Sequence, residues 1–137
     1  MSASYDWELQ KELYVYLTSL ALPDVKKIAD YKLQAPGPEE YPFLEIGETS
    51  GLPDNAQGVE GSEETIVLHV FDRDAASPGK RRVKQIISAL REALEDHILF
   101  VAGLSLCLLN TGSIRVFTDP DGVTVHGVLN LKCFCYK

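Results

Sequence analysis

The sequence has little cysteine, no long apolar run and fewer basic than acidic residues. Its three cysteines cannot all pair with one another, and their spacing matches no small secreted disulfide scaffold. The first ten residues, MSASYDWELQ, lack the basic start and apolar run of a secretory signal. No stretch approaches the roughly 20 apolar residues of a membrane-spanning helix. These absences predict a protein made and kept in a reducing cytoplasm until it joins something else, without membrane contact.

The shortage of basic residues limits the partners of the chain. Thirteen Lys and Arg against twenty Asp and Glu give a formal net charge of −7. The field of such a surface repels nucleic acids and anionic membranes, so a protein that grips DNA or RNA across a broad face is excluded. DNA can still pass along such a surface without sticking to it. At 137 residues and 45% hydrophobic composition, a single domain, 1–137, is predicted, with a core that needs neither disulfide nor metal.

Two helices are predicted from apolar residues at helical spacing. The first spans 6–20, with Ser4 or Asp6 as its cap. The second spans 78–95, where Ser77 is the N-cap and Pro78 the first helical residue. The apolar stripes of the two helices are Leu9, Leu13, Tyr16, Leu17 and Leu20 in the first, and Val83, Ile86, Ile87, Leu90 and Leu94 in the second.

Strands are predicted over 24–33, 43–46, 65–72, 104–109, 113–117 and 123–136, with a bulge or bend at 110–113. Residues 47–64, GETSGLPDNAQGVEGSEE, are rich in glycine and acidic or small polar residues. Such a segment has little to bury, which predicts a long mobile loop between two strands. The element order indicates an α+β fold: a mostly antiparallel sheet of four to five strands with two helices packed on one face.

The segment Asp119-Pro-Asp-Gly122 invites a metal-binding or catalytic interpretation, because it places two carboxylates close to His126. A type I turn favours Asp first, Pro second and Gly last, which is the order here. Gly122 would take the left-handed conformation that closes a three-residue hairpin loop with a bulge. A calcium loop would need further oxygen ligands soon afterwards, yet the chain continues as a strand. We therefore predict a structural turn at Asp119, Pro120 and Gly122.

The cysteines and histidines form no recognisable site in the sequence. Alternation along the last strand places Val123, Val125, Gly127, Leu129, Leu131, Cys133 and Cys135 on one side, and Thr124, His126, Asn130 and Lys132 on the other. Thiols on the apolar side behave as small hydrophobic groups. Tetrahedral zinc would need more ligands than Cys107 and a distant histidine supply. No metal ligand is therefore predicted.

Catalytic and cofactor sites are likewise not predicted. His69 lies within a strand, His97 is expected to end a helix, and no histidine has a recognisable partner carboxylate. No Ser or Cys lies in a nucleophile-elbow context, and Gly79 belongs to no phosphate-binding pattern. Asp72-Arg-Asp74 is explained by an ordinary strand-to-helix loop.

A cluster of basic residues, Lys80, Arg81, Arg82 and Lys84, occupies the start of the second helix. Positive charge there opposes the helix dipole, so the cluster calls for an explanation. The simpler interpretation is a solvated basic patch. The alternative is a docking surface that meets an acidic segment of a neighbouring copy. The acidic residues of that hypothetical interface are Asp54, Glu60, Glu63 and Glu64.

The chain resembles the tail-completion, or tail-terminator, family of tailed bacteriophages and gene transfer agents. The resemblance rests on the succession LQKELYVYLTSLA, YPFLEIGE, TIVLHVFDRD, KRRVKQIISALREAL and SIRVFTDPDGVTVHGVLNLKC. It implies a structural protein of the virion neck, assembled in the host cytoplasm, without enzymatic activity. Such subunits form a ring, commonly a hexamer, that caps the tail tube, ends its polymerisation and provides a docking surface for the head connector.

The partners that the resemblance implies are further copies of the chain, the tail tube protein and the head connector or stopper. DNA would pass through the lumen without specific binding. We expect the 47–64 loop to become ordered against the tube or an adjacent subunit. Two alternatives stay open: another neck component, such as a connector stopper or minor tail protein, and a small metal-binding or enzymatic domain around Cys107, Cys133 and His126.

Overall fold

The computed structural model of the chain describes residues 6–53, 60–74 and 79–137. Its elements, in chain order, are α1 (Asp6–Ser19), β1 (Lys27–Ala29), a short 3-10 turn (Pro38–Glu40), β2 (Phe43–Pro53), β3 (Gly61–Asp72), α2 (Arg81–Leu94), β4 (His97–Ile98), β5 (Leu106–Thr118) and β6 (Val125–Tyr136). No helix in these three ranges is long and apolar enough to span a bilayer.

Six strands of the described chain form one curled sheet in the order β1-β2-β3-β6-β5-β4. β1 pairs with β2 in parallel, and every other neighbouring pair is antiparallel. The α+β class is confirmed, but the expected four to five strands, mostly antiparallel, become six in a mixed sheet. β1 has three residues and lies within the strand predicted over 24–33, whereas β4 has two, which is too short for an alternating pattern to be recognised in a sequence.

The prediction of a long loop over 47–64 is wrong for most of these residues, which belong to strands. β2 continues through Pro53, and β3 already begins at Gly61. The polar start of β3 pairs on both sides: Ser62 lies opposite Pro53 of β2 and opposite Cys135 of β6. Backbone hydrogen bonds to two neighbours therefore order a segment that has few apolar side chains to bury.

Both helices pack against the same face of the sheet, as predicted. α1 buries Leu9, Leu13 and Leu17, and α2 buries all five residues of its predicted stripe. Gly127 of β6 lies directly under α2: a Cβ atom there would be 2.6 Å from Ile87 Cδ1 and 2.7 Å from Val83 Cγ1. The missing side chain thus allows the helix to approach the middle of the sheet closely.

The boundaries of α2 differ from the prediction. The helix begins at Arg81 with Lys80 as its N-cap, and Glu95 is the C-cap. The predicted cap Ser77 and first residue Pro78, like Ser4 before α1, lie outside the described residues. His97 does not end the helix. It lies in β4, and its ring stacks on Tyr16 of α1 at 4.0 Å between centroids.

The last two strands form a long hairpin. The strands predicted over 104–109 and 113–117 are one strand, β5, with the expected bulge between Thr111 and Ile114. β6 alternates as predicted from Val125 onward. Val123 precedes the strand and is exposed, whereas Thr124 is buried, so the predicted faces of these two residues are wrong. The turn between the strands imposes its own side-chain directions there.

Candidate interaction surfaces

Asp119–Gly122 forms a turn between β5 and β6. Gly122 has φ +78° and donates its N–H to the Asp119 carbonyl at 2.9 Å. The Asp119 N–H donates to the Thr124 carbonyl at 2.8 Å, so four residues rather than three lie between the closing pair. A positive φ at Gly122 is the conformation that glycine adopts without a steric penalty.

Asp121 at the tip of this turn is held by its neighbours. Its Oδ1 accepts the N–H groups of Val123 and Thr124, both at 2.9 Å, and its Oδ2 accepts the Thr124 hydroxyl at 2.6 Å. Arg73 Nη2 lies 3.0 Å from Asp121 Oδ2. The Thr124 bonds, then the Val123 bond and the Arg73 charge, lower the pKa of the Asp121 carboxyl far below its usual range. The carboxylate therefore serves the hairpin as a hydrogen-bond acceptor.

A chain of four titratable side chains crosses the sheet face opposite the helices. His126 Nδ1 lies 3.0 Å from Asp119 Oδ1, and His126 Nε2 lies 2.8 Å from His69 Nδ1. His69 Nε2 in turn lies 3.1 Å from Glu48 Oε1. The expectation that no histidine has a partner carboxylate is wrong, because His69 pairs with Glu48 and His126 pairs with Asp119. We call Asp119, His126, His69 and Glu48 the histidine relay.

The strand register brings the relay together from residues that are far apart in the sequence. His126 lies opposite Phe71 in β3, and His69 lies opposite Val128 in β6, so the histidines are diagonal neighbours. Glu48 falls at the register shift between Ile46 and Thr49 of β2. Its own backbone hydrogen bond and the His69 contact lower the pKa of Glu48. Without the register, the signal was limited to two histidines on outward-facing strand positions.

Aromatic rings surround the relay. Phe71 stacks on His126 at 4.2 Å and on Phe43 at 5.1 Å between centroids, and Phe117 lies 4.8 Å from His126. The guanidinium of Arg115 lies 4.9 Å from the Phe117 ring, within cation–π range. This face of the sheet is thus a partly exposed surface of stacked rings and paired charges. Such a surface suits protein contact, because it offers both apolar area and hydrogen-bonding groups.

The basic start of α2 is only partly available to a partner. Arg82 makes two hydrogen bonds to Asp72, at 2.6 and 3.0 Å, and lies 3.6 Å from Asp74. The Asp72 bond is the main cause of a raised pKa at Arg82. Lys80, Arg81 and Lys84 are exposed. Asp72-Arg-Asp74, expected to be an ordinary loop, therefore anchors the helix through Arg82.

The acidic residues of the hypothetical interface have different surroundings. Glu60 is exposed, Glu63 pairs with Lys132 at 3.1 Å, and Asp54 lies outside the described residues. Glu60 and Asp72 lie at opposite ends of β3, roughly 35–40 Å apart at the usual rise per residue. Glu60 therefore cannot meet the basic residues at the start of α2 within one chain. Their contact between copies stays a prediction.

Glu64 does not occupy the exposed position expected for it. It lies on the helix-facing side of β3 and is 5% exposed. Within the described ranges its Oε2 has no hydrogen-bond partner. Burial raises the pKa of this carboxyl, against an opposing hydrogen bond from Ser62. A buried carboxylate is poorly placed to meet a partner's basic residues.

The three cysteines pack in the core. Cys107 Sγ lies 3.7 Å from Cys135 Sγ, and all three thiols are buried and free. Burial raises the pKa of Cys133, and the contact with Cys107 together with burial raises that of Cys135. In the part of the chain that the structure describes, no three His, Cys, Asp or Glu side chains are arranged to hold a metal ion.

Exposed apolar residues lie near both edges of the sheet. At the β4 edge, Phe100 is 88% exposed, and Ile98 and Leu106 are also exposed. Near the β1 edge, Trp7 and Tyr14 of α1 and Tyr31 after β1 line a groove of about 350 Å³. Exposed aromatic side chains at the two ends of one sheet are typical of a subunit that contacts other proteins.

Comparison with known proteins gives a consistent picture. The family model of tail completion protein gp17 matches residues 19–136. Tail completion protein gp17 of Bacillus phage SPP1 is 28% identical over 100 residues, which cover 72% of each chain. A chain from the virion of a native gene transfer agent particle has a TM-score of 0.74 at 17% identity, covering 94% of this chain and 95% of that one. A second solved chain has a TM-score of 0.56 at 15% identity.

The two structural similarities show the same fold, and the family match covers most of the sequence. Members of the matched family are structural components of the virion tail and not enzymes. The histidine relay, the packed thiols and the turn at Asp119 are all compatible with that role. The chain belongs to the tail completion protein gp17 family and is a structural protein of the virion tail and neck.

Proposed function

We propose that this protein forms a ring, in the manner of a hexamer, that caps the head-proximal end of the tail tube. The ring ends tube polymerisation and provides the surface on which the head connector or stopper docks. The observation that carries the proposal is the family match over residues 19–136. The fold adds support, since exposed aromatic residues lie near both edges of one sheet and suit a subunit that contacts copies of itself.

Charge supports the passage of DNA through such a ring. The net charge of −7 on each subunit, repeated around a ring, disfavours adhesion of the phosphate backbone to the wall of the lumen. The exposed cations Lys80, Arg81 and Lys84 form a local exception. We propose that they contact the acidic residues Glu60 and Glu63 of a neighbouring subunit or an acidic tail partner.

One face of the sheet is available for the remaining partners. The histidine relay and its aromatic rings occupy one sheet face, while the helices cover the other. We propose that the relay face meets either the tube or the connector. Of the 47–64 segment, residues 47–53 and 61–64 already belong to β2 and β3, and residues 54–59 lie outside the described residues.

The position of the subunit on the tail distinguishes a protein that caps the tube from another component of the neck. Val15 on α1 is exposed, and the three native thiols are buried. A Val15→Cys variant therefore accepts a gold label at one site, and the unlabelled native protein is the control. Electron microscopy of tails separated from heads should show gold at one end of each tail, on the last tube ring. Gold along the tail, or only on head connectors, would contradict the proposal.

A further inference from the structure

The loop after β4 holds one aromatic side chain outward. Phe100 is 88% exposed, whereas its neighbours Leu99 and Val101 are buried in the core. The backbone around it is fixed, because the Leu99 N–H donates to the Cys107 carbonyl at 2.9 Å and the Leu104 N–H to the Val101 carbonyl at 3.1 Å. Phe100 is therefore a projecting ring on a fixed loop, with little freedom to lose on binding.

The other side of the sheet carries a groove of matching character. Its aromatic walls are Trp7 and Tyr14 on α1 and Tyr31 after β1, all of them exposed. Lys27 lies beside it, with Nζ 5.7 Å from the centre of the Tyr31 ring. The groove, of about 350 Å³, offers ring faces against which another aromatic side chain can pack edge-on or offset.

The charges around the two features are of opposite sign. Residues 92–106, which carry Phe100, contain Glu92, Glu95 and Asp96 and no Lys or Arg. The lining of the groove contains Lys11 and Lys27 against one carboxylate, Asp30, and Lys11 also pairs with Glu8 at 2.8 Å. Attraction between an acidic and a basic edge favours a head-to-tail contact over a contact of either edge with itself.

The sheet order places these features apart. β1 and β4 are the two ends of the six-strand order. A contact between one end of a sheet and the opposite end of the next copy is heterologous, and it generates a ring when the rotation per subunit closes. The occupant whose shape and charge match the groove is thus a second copy of this chain.

We propose that Phe100 of each subunit inserts into the Trp7–Tyr14–Tyr31 groove of the next subunit and is the main anchor of the ring. This inference rests on the proposed ring and specifies which surfaces form it. It is separate from the contact suggested for Arg81 and Lys84. A few anchors of this kind dominate the association energy of an interface, and truncation of one weakens association roughly tenfold or more.

Cross-linking between two single variants tests the contact directly. Tails are assembled with an equal mixture of Phe100→Cys and Tyr31→Cys proteins and treated with a short bis-maleimide. The native thiols are buried, so reaction is confined to the introduced cysteines. A cross-linked dimer should form in the mixture and in neither variant alone. Dimers from Phe100→Cys alone, or no mixed product from tails that carry the protein, would overturn the inference.

A second variant covers the outcome in which the cysteine variants assemble poorly. Phe100→Ser should reduce the fraction of tails that carry the protein by about tenfold, with an unchanged circular dichroism spectrum. Val123→Ser, at another exposed apolar position, on the β5–β6 turn, is the control and should assemble normally. Normal ring formation by Phe100→Ser, or rings that form but fail only to bind the tube, would overturn the inference. Absence of the unmodified protein from the tail end would overturn the proposed function itself.

Discussion

His69 Nδ1 lies 2.8 Å from His126 Nε2, and each ring also faces a carboxylate. The contacts with Asp119, between the rings and with Glu48 each require one proton. Asp119, His126, His69 and Glu48 are thus linked by three consecutive side-chain contacts. The relay therefore ties the β5–β6 turn to β3 and β2 through a single set of coupled hydrogen bonds.

A double-mutant cycle tests that coupling. His69→Gln and His126→Gln should each lower the free energy of unfolding, and the double variant should lose less than the sum of the two. The expected coupling is about 0.5–1.5 kcal/mol, the net value of one hydrogen bond. Urea denaturation followed by circular dichroism measures it. Effects that add to within about 0.3 kcal/mol would show that the rings do not interact.

Arg82 is predicted to stabilise the fold through Asp72, so it is not free to bind a partner. Asp72 is only 3% exposed, and Arg82 donates one hydrogen bond to each oxygen of its carboxylate. Arg82→Met leaves a buried carboxylate without this partner and should lower the free energy of unfolding by about 2–3 kcal/mol. Arg81→Met, one residue away and exposed, is the matched control and should change it by less than about 0.5 kcal/mol.

The Arg82–Asp72 pair also determines how the basic patch is tested. Replacing both Arg81 and Arg82 by Glu would break this pair, so loss of stability could not be distinguished from loss of docking. Arg81→Glu with Lys84→Glu separates the two. Normal assembly by that variant would leave the basic patch as a solvated surface, and equal destabilisation by Arg81→Met and Arg82→Met would contradict the role of the Arg82–Asp72 pair.

Glu64 predicts an unusual pH dependence. Because burial raises its folded-state pKa above that of the unfolded chain, the native state binds the proton more tightly. The stability associated with Glu64 is therefore fully present below the ordinary carboxyl pKa and falls as the pH rises through the raised folded pKa. Glu64→Gln should remove this loss and stabilise the protein at pH 7, by roughly 1 kcal/mol for one poorly satisfied buried polar atom.

The matched control is the preceding residue of β3. Glu63 lies on the opposite face and pairs with Lys132, so Glu63→Gln should leave stability unchanged or slightly lower. Thermal unfolding of both variants from pH 4 to pH 8 makes the comparison. A Glu64→Gln variant that is less stable than the native protein at pH 7 would show that its carboxylate has a favourable partner in solution.

Much of the fold can be predicted from local sequence patterns. A repeat of apolar residues predicts the buried stripes of α1 and α2 and the alternation of β6. Specific turn chemistry predicts the turn at Asp119. They were predicted because their signal lies in neighbouring residues. The bulge near Gly112 was recognised for the same reason, from a short run of turn-forming residues within a strand.

The parts that were missed depend on partners distant in sequence. β3 starts early because β2 and β6 hydrogen-bond its polar residues, and Glu64 is buried because of the face on which that register places it. The relay needs His69 and His126 to be diagonal neighbours across two strands 57 residues apart. β4 is two residues long and exists only as an addition to β5. None of these is encoded in local periodicity.

The central claim is that this chain works as a repeated structural subunit that ends the tail tube. The most direct measurement is electron microscopy of particles assembled without it, with tail length and head attachment scored for each particle. We predict overlong or unattached tails, and restoration of normal length when the native protein is supplied. Normal virions with tails of unchanged length in its absence would contradict the account.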